Sequence, residues 1–197
     1  LKKIKAAKGK VIIGSVANVT AEWKNHRLII EVANLIKNES LSPEIIFNIY
    51  GALPEESNPY YLKLLEMVKT YKLTDVVFFK GIRKPKEIYE TIDILFHPCD
   101  REGFGRIFIE AMGKFIPIVA VKGGGADELI QNGKTGFKLD KNDYYGIAQK
   151  IIDLTINKKI YKKVSFNSYN YAASTFSNDL MCKKIFYLYT VMLNKLK

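Results

Sequence analysis

Residues 94–125 read ILFHPCDREGFGRIFIEAMGKFIPIVAVKGGG. Ile94, Leu95 and Phe96 make a short apolar run of the kind found in buried parallel strands, and Pro98 ends it. The loop Asp100 to Gly105 follows, with Gly103 and Gly105 where the backbone must bend sharply or approach a ligand. Arg106 to Lys114 reads as a helix, which makes Ile107, Phe108, Met112 and, just past its end, Phe115 available to a core. Ile118 to Val121 is the next strand, closed by Gly123, Gly124 and Gly125. The unit is therefore strand, glycine loop, helix, strand, glycine loop.

Two carboxylates frame it, Glu102 in the loop and Glu110 on the helix. Helical side chains lean toward the N-terminus, so Glu110 can reach back to the mouth where Glu102 sits. The first helical N–H groups lack partners and carry the positive end of the helix dipole, a combination that binds phosphate. Carboxylates beside an anion-binding helix end suit a ligand with both hydroxyls and phosphates, as a nucleotide sugar has.

Outward from this unit, strands and helices alternate. Val11 to Ser15 reads as a strand entering a loop at Gly14, and His26 to Lys37 as a helix with Leu28, Ile29, Val32, Leu35 and Ile36 on one face. Lys24 stands just before that helix, where its ammonium can serve as a point charge on a phosphate. Strands at Glu44–Tyr50, Val76–Phe79 and Phe137–Leu139 are expected, with helices at Tyr60–Tyr71, Lys86–Thr91, Ala126–Gln131, Asn142–Leu154 and Ile160–Tyr171. Ser177 is a suitable N-cap for a last helix over 177–196. This order predicts an α/β fold: a Rossmann-like, doubly wound parallel sheet with helices on both faces, in one domain over 1–197. Gly14, Gly81, Glu102 and Gly123 each follow a predicted strand, so all four converge on the C-terminal edge of the sheet, where such folds bind ligands.

Composition narrows the classes. A hydrophobic content of 48% and charged content of 26% are ordinary for a globular protein. No apolar run approaches the ~20 residues of a membrane-spanning helix. The start, LKKIKAAKGKVIIGSVA, has too short an apolar core for a signal peptide, so a cytoplasmic protein is expected. Because the sequence opens on Leu1, a piece of a longer chain is expected. Cys99 and Cys182 are the only cysteines and His26 and His97 the only histidines; their spacing suggests neither a disulfide nor a metal site. No Asp-x-Asp pair is present to hold a divalent ion, so no metal is expected. The net charge of +11 gathers at the ends, with Lys2, Lys3, Lys5, Lys8 and Lys10 at the start and ten lysines against three aspartates after residue 140. A solvated lysine-rich surface explains this, and an anionic membrane surface on the cytoplasmic side is a further partner it allows. No nucleic-acid module accompanies the charge. Gly103-x-Gly105 lacks the third glycine of a dinucleotide fingerprint, and Gly133-Lys134-Thr135 lacks the glycine that opens a P-loop.

The segment Glu102-Gly-Phe-Gly-Arg-Ile-Phe-Ile-Glu110-Ala-Met resembles the E-x7-E signature of the retaining GT-B glycosyltransferases of family 4 (glycosyl transferases group 1). PIVAVKGGGADELIQNGKTGF resembles the block that follows it, and Gly14 to Lys24 the family's first glycine loop with its phosphate-binding lysine. The resemblance implies the C-terminal, donor-binding half of a GT-B fold and transfer of a sugar from a nucleotide diphosphate, with retention. It implies that Lys24 and the N–H groups of Gly105, Arg106 and Ile107 neutralise the leaving diphosphate, and that Glu110 holds the ribose hydroxyls. Glu102, with Gly103, Phe104 and Gly105, is expected to hold the transferred sugar, and Gly81 and Ile82 to read the base. The acceptor, a glycan or lipid-linked molecule, is expected on a separate N-terminal domain, absent from this stretch, toward which the last helix packs. By itself the stretch should bind nucleotide and transfer little. The family's second phosphate clamp, an arginine, is replaced by Ser15, so either that clamp is weaker or Arg101 or Arg106 supplies the charge. Glu128 fits either the family's later Glu or a charge at a helix N-terminus, and His97 either packing or a phosphate-loop contact. A non-catalytic sugar-nucleotide-binding module and a GT-B phosphorylase or synthase are the alternatives.

Overall fold

The computed structural model describes residues 9–39 and 44–195. Lys2, Lys3, Lys5, Lys8, Lys197 and the expected end of the last helix at 196 lie outside the described residues.

Six strands, β1 (Lys10–Val16), β2 (Glu44–Tyr50), β3 (Val77–Gly81), β4 (Ile94–His97), β5 (Ile118–Val121) and β6 (Phe137–Leu139), form one sheet in the order β3-β2-β1-β4-β5-β6. Every pairing is parallel. Parallel strands need long crossovers, which the helices α1 (His26–Lys37), α2 (Pro59–Thr70), α3 (Pro85–Thr91), α4 (Arg106–Met112) and α5 (Gly125–Leu129) provide. Helices α6 (Tyr144–Ile156), α7 (Lys158–Thr175) and α8 (Asn178–Lys195) complete the described chain.

The pleat sends alternate strand residues to opposite faces, and each face has its own apolar core. Ile13, Phe96 and Val119 point into one core with Leu28 and Ile29 of α1, Leu64 of α2 and Ile151 of α6. Leu95, Ile118 and Ala120 point into the other with Ile88 of α3, Phe108 and Met112 of α4 and Leu129 of α5. Every residue of β4 and β5 is buried, as strands covered on both sides must be. Burying each large side chain of this kind contributes about 1.5–3 kcal/mol. Asp93 pins the centre: its carboxylate accepts from Ile12 N–H at 2.9 Å and its own N–H donates to Ile12 O at 2.7 Å. The order in which strands are added reverses between β1 and β4, the switch point at which such sheets open a crevice beyond the strands' C-terminal ends.

Three expectations are corrected. The first loop does not begin at Gly14: Gly14 pairs with Asn48 and Leu95 inside the sheet, and Ser15 is buried beside it. A Cβ at Gly14 would lie 2.4 Å from Ile92 Cγ2, so this glycine serves close packing of α3's end on the strand. The loop opens only after Val16. β3 likewise runs on to Gly81, which takes a positive φ of 64° at the strand's last position. Phe115 does not enter the core. It occupies the left-handed position that closes α4 (φ 57°), with Ile116 N–H bonded to Ala111 O, and that geometry throws its ring outward onto Tyr169, 3.9 Å between centroids. Ser177 meets expectation, accepting from Leu180 N–H at 3.3 Å.

Candidate active site

The loop 98–105 leaves β4 at the crevice, and Glu102 is its central side chain. Its Oε2 accepts from Lys24 Nζ at 2.9 Å, and His97 Nε2 lies 3.3 Å from the same oxygen. Lys24 ends a single 3₁₀ turn, Glu22–Lys24, that Asn25 closes in the left-handed conformation before α1 begins. Its ammonium also lies 4.0 Å from the centroid of the Trp23 ring. The sequence thus brings two residues 78 positions apart into one partly buried ion pair, through the adjacency of β1 and β4. Contact with His97, opposed by partial burial and reinforced by Lys24, brings the Glu102 carboxyl down to about 2. It is ionised at any physiological pH.

His97, the last residue of β4, is fully buried, packs edge-on against Phe108 at 5.2 Å, and neither ring nitrogen has a well-aligned hydrogen-bond partner. It shows the packing its sequence position allows and lies beside Glu102. His26 does not join the site. It begins α1, where the Tyr60 hydroxyl accepts from its backbone N–H at 3.1 Å and lies 3.3 Å from its Nδ1, and burial lowers its pKa to about 4.

Glu110 is exposed on α4, and its Oε2 accepts from the hydroxyl of Tyr89 on α3, at 2.8 Å. Burial, together with the carboxylate, pushes the Tyr89 phenol well above its ordinary range, so it stays a donor. Tyr89 escapes sequence reading because, in a short helix preceding Asp93, it looks like a core aromatic, and it is in fact also buried. At the start of α4, Phe108 N–H bonds to Gly105 O at 2.9 Å; the N–H groups of Gly105, Arg106 and Ile107 precede it, at the end where helices leave donors over.

The second glycine loop braces the first. Gly125 N–H donates to Glu102 O at 2.8 Å. A Cβ on Gly124 would stand 2.0 Å from that same oxygen, and Gly124 holds φ 49°, ψ −137°. The triple glycine therefore exists so that one backbone can lie against another.

Gly81 and Ile82 sit at the β3 end of the same sheet edge, with Ile82 largely exposed and Arg83 Nη1 donating to its carbonyl at 2.7 Å. Gly103 is exposed, and Phe104 and Arg106 line a groove of about 500 Å³ with Glu110 and the Leu180, Ile185 and Leu188 side of α8. Arg101 faces a separate polar cleft of about 380 Å³ with Trp23 and Lys141. Glu128 lies in the first turn of α5. The last helix shows an exposed apolar surface, including Phe186, Tyr187, Tyr189 and Met192. No helix among the described residues is long and apolar enough to cross a membrane.

The model of the family described as glycosyl transferases group 1 matches residues 1–171. The capsular polysaccharide biosynthesis glycosyltransferase CapM of Staphylococcus aureus is 24% identical over 184 residues, covering 93% of this chain and 47% of CapM. The colanic acid biosynthesis glycosyltransferase WcaL of Escherichia coli is 27% identical over 157 residues, covering 75% of this chain and 37% of WcaL. HepE of Anabaena, crystallised with UDP and glucose, superposes with a TM-score of 0.81 at 22% identity, covering 95% of this chain and 50% of that one. The C-terminal domain of the group 1 glycosyl transferase LpcC from Francisella tularensis gives 0.72 at 24% identity, with 86% of each chain covered. The chain spans about half the length of CapM and less of WcaL.

Proposed function

From the premise that the chain belongs to the glycosyl transferases group 1 family, with the fold of a GT-B C-terminal domain, we propose that it binds the nucleotide diphosphate sugar of a retaining glycosyltransferase. The observation that carries the reading is the placing of Lys24, Glu102 and the start of α4 at one mouth, beside the β1–β4 crevice.

As the glycosidic C–O bond breaks, negative charge grows on the departing diphosphate. Lys24 is the cation positioned to take it, with the N–H groups of Gly105, Arg106 and Ile107, and no metal is needed in this scheme. To do so the ammonium leaves Glu102, and the carboxylate so released accepts hydroxyls of the sugar. Its low pKa suits it to that acceptor role and not to proton donation. Glu110, its second oxygen held by Tyr89, has lone pairs left for the ribose hydroxyls. Ile82 and the Gly81 backbone are positioned for the base, and Arg106 for a second phosphate charge in place of Ser15, which is buried in β1. The acceptor would be a glycan or lipid-linked molecule held by the remainder of a longer protein, with α8 packing toward that part. UDP in HepE supports a uridine donor; CapM and WcaL support a polysaccharide pathway.

Calorimetric titration of the chain with UDP, GDP and ADP tests the proposal, with Glu110→Gln as the control. One nucleotide should bind, about tenfold more weakly in the variant, as expected for a lost hydrogen bond to a charged group. Equal affinity in wild type and variant removes Glu110 from the site.

A further inference from the structure

His97, at the end of β4, and Cys99 and Glu102, in the loop after it, have the spacing His-x-Cys-x-x-Glu. One imidazole nitrogen, the thiol sulfur and a carboxylate oxygen lie within 4.8 Å of one another. The imidazole is wholly buried, lacks an aligned partner at either nitrogen, and turns Nε2 toward Glu102 Oε2 at 3.3 Å. Burying a polar ring unsatisfied is costly, so the site has a standing reason to accept a group that would bond it.

We propose that these three side chains form a zinc-binding site. Nitrogen, sulfur and carboxylate oxygen together are the donor set of Zn²⁺, whereas Mg²⁺ and Ca²⁺ prefer oxygen alone. The separation of Nε2 and Oε2 already matches the edge of a tetrahedron with bonds of about 2.0–2.1 Å. The sulfur already lies within 4.8 Å of both, so side-chain rotation can draw it onto a shared ion. The Cys99 thiol gives its proton to solvent as the thiolate–zinc bond forms, and a water completes the fourth position. One group opposes the ion, the Lys24 ammonium at 2.9 Å from Glu102. Zinc displaces it, and the face of Trp23, 4.0 Å away, remains to hold it. The sequence hides this site because the cysteine and histidine lie too close together to read as a zinc-finger spacing. On the donor reading above, zinc here takes Glu102 away from the sugar and acts as an antagonist.

The test is titration of the full chain with Zn²⁺ by calorimetry and with Co²⁺ by absorbance, in a Cys182→Ser background that removes the exposed thiol. One ion per chain and a thiolate-to-cobalt charge-transfer band are expected. Cys99→Ser should abolish the band and weaken zinc by at least roughly 10–100-fold. Lys24→Gln, which removes the competing charge at an accessible position, should tighten it. Absence of the band, zinc affinity unchanged in Cys99→Ser, or affinity unchanged or lower in Lys24→Gln each overturns the proposal. No nucleotide enters the experiment, so its failure leaves the donor reading standing.

Discussion

Replacing Gly124 with alanine tests the claim that the second glycine loop braces the first. The residue sits at φ 49°, ψ −137°, a conformation costing a side-chain-bearing residue about 1–3 kcal/mol. The new Cβ would also stand 2.0 Å from the Glu102 carbonyl oxygen, a backbone atom that cannot swing aside as a side-chain tip could. Relieving that overlap separates the loops and breaks the 2.8 Å bond from Gly125 N–H to the same oxygen, about 1 kcal/mol more. The sum is roughly 2–4 kcal/mol, or about 4–16 °C in melting temperature for a chain of this size. Gly81→Ala is the matched comparison: its φ is also positive, at 64°, but a Cβ there meets nothing within 4 Å, so only backbone strain of about 1–2 kcal/mol is expected. Thermal and urea unfolding of both variants measure the difference. Because the strained bond belongs to Glu102, Gly124→Ala should also weaken nucleotide binding, while Gly81→Ala acts there only through the base. If Gly124→Ala melts no lower than Gly81→Ala, the contact between the loops is not what the glycine is for.

Removing the Lys24 ammonium by Lys24→Gln should weaken nucleotide diphosphate binding by roughly 10–150-fold, the worth of one charge-assisted hydrogen bond, as read by calorimetry. Tyr89→Phe should cost nucleotide affinity several-fold by freeing Glu110 to rotate, while stability falls by only about 0.5–1.5 kcal/mol in urea unfolding. For pH, Glu102 sits at about 2 in the fold against an ordinary 4.5. A depressed carboxyl stabilises the fold above its unfolded pKa and loses that contribution as pH falls from about 4.5 toward 2. The destabilisation caused by Lys24→Gln should therefore be full near pH 7 and shrink across that window. Carboxyl carbon NMR should show Glu102 titrating higher in the variant.

The alternation of strands and helices was legible because the central strands β4 and β5 are buried on both faces and helices such as α1 carry one apolar stripe. His26–Lys37 and Glu44–Tyr50 match the expected bounds. Where reading failed, the signal lay in tertiary contact. Gly14 looks like a loop residue, and only the approach of Ile92 explains a glycine within a strand. The outward turn of Phe115 comes from the left-handed closure of α4, which periodicity cannot show. The partners of the two glutamates, Lys24 and His97 for Glu102 and Tyr89 for Glu110, lie 78, 5 and 21 residues away, and the first and last are brought in only through the sheet order.

The Lys24–Glu102 pair bears on how a donor would be held. Both side chains are about one-fifth exposed, so neither charge is well hydrated, and separating them without replacement would leave an unmatched carboxylate beside a buried imidazole. A nucleotide alone supplies phosphate for the lysine but nothing for Glu102. A nucleotide sugar supplies both, phosphate for one and hydroxyl donors for the other. The exchange of partners is then nearly balanced for the sugar nucleotide and unbalanced for the bare nucleotide, so the sugar should add affinity through Glu102 even though a hydroxyl–carboxylate bond in water is weak. That difference should vanish in Glu102→Ala, which removes the carboxylate the sugar hydroxyls would bond. Retention of the full difference in that variant would mean that the sugar's affinity arises from other contacts.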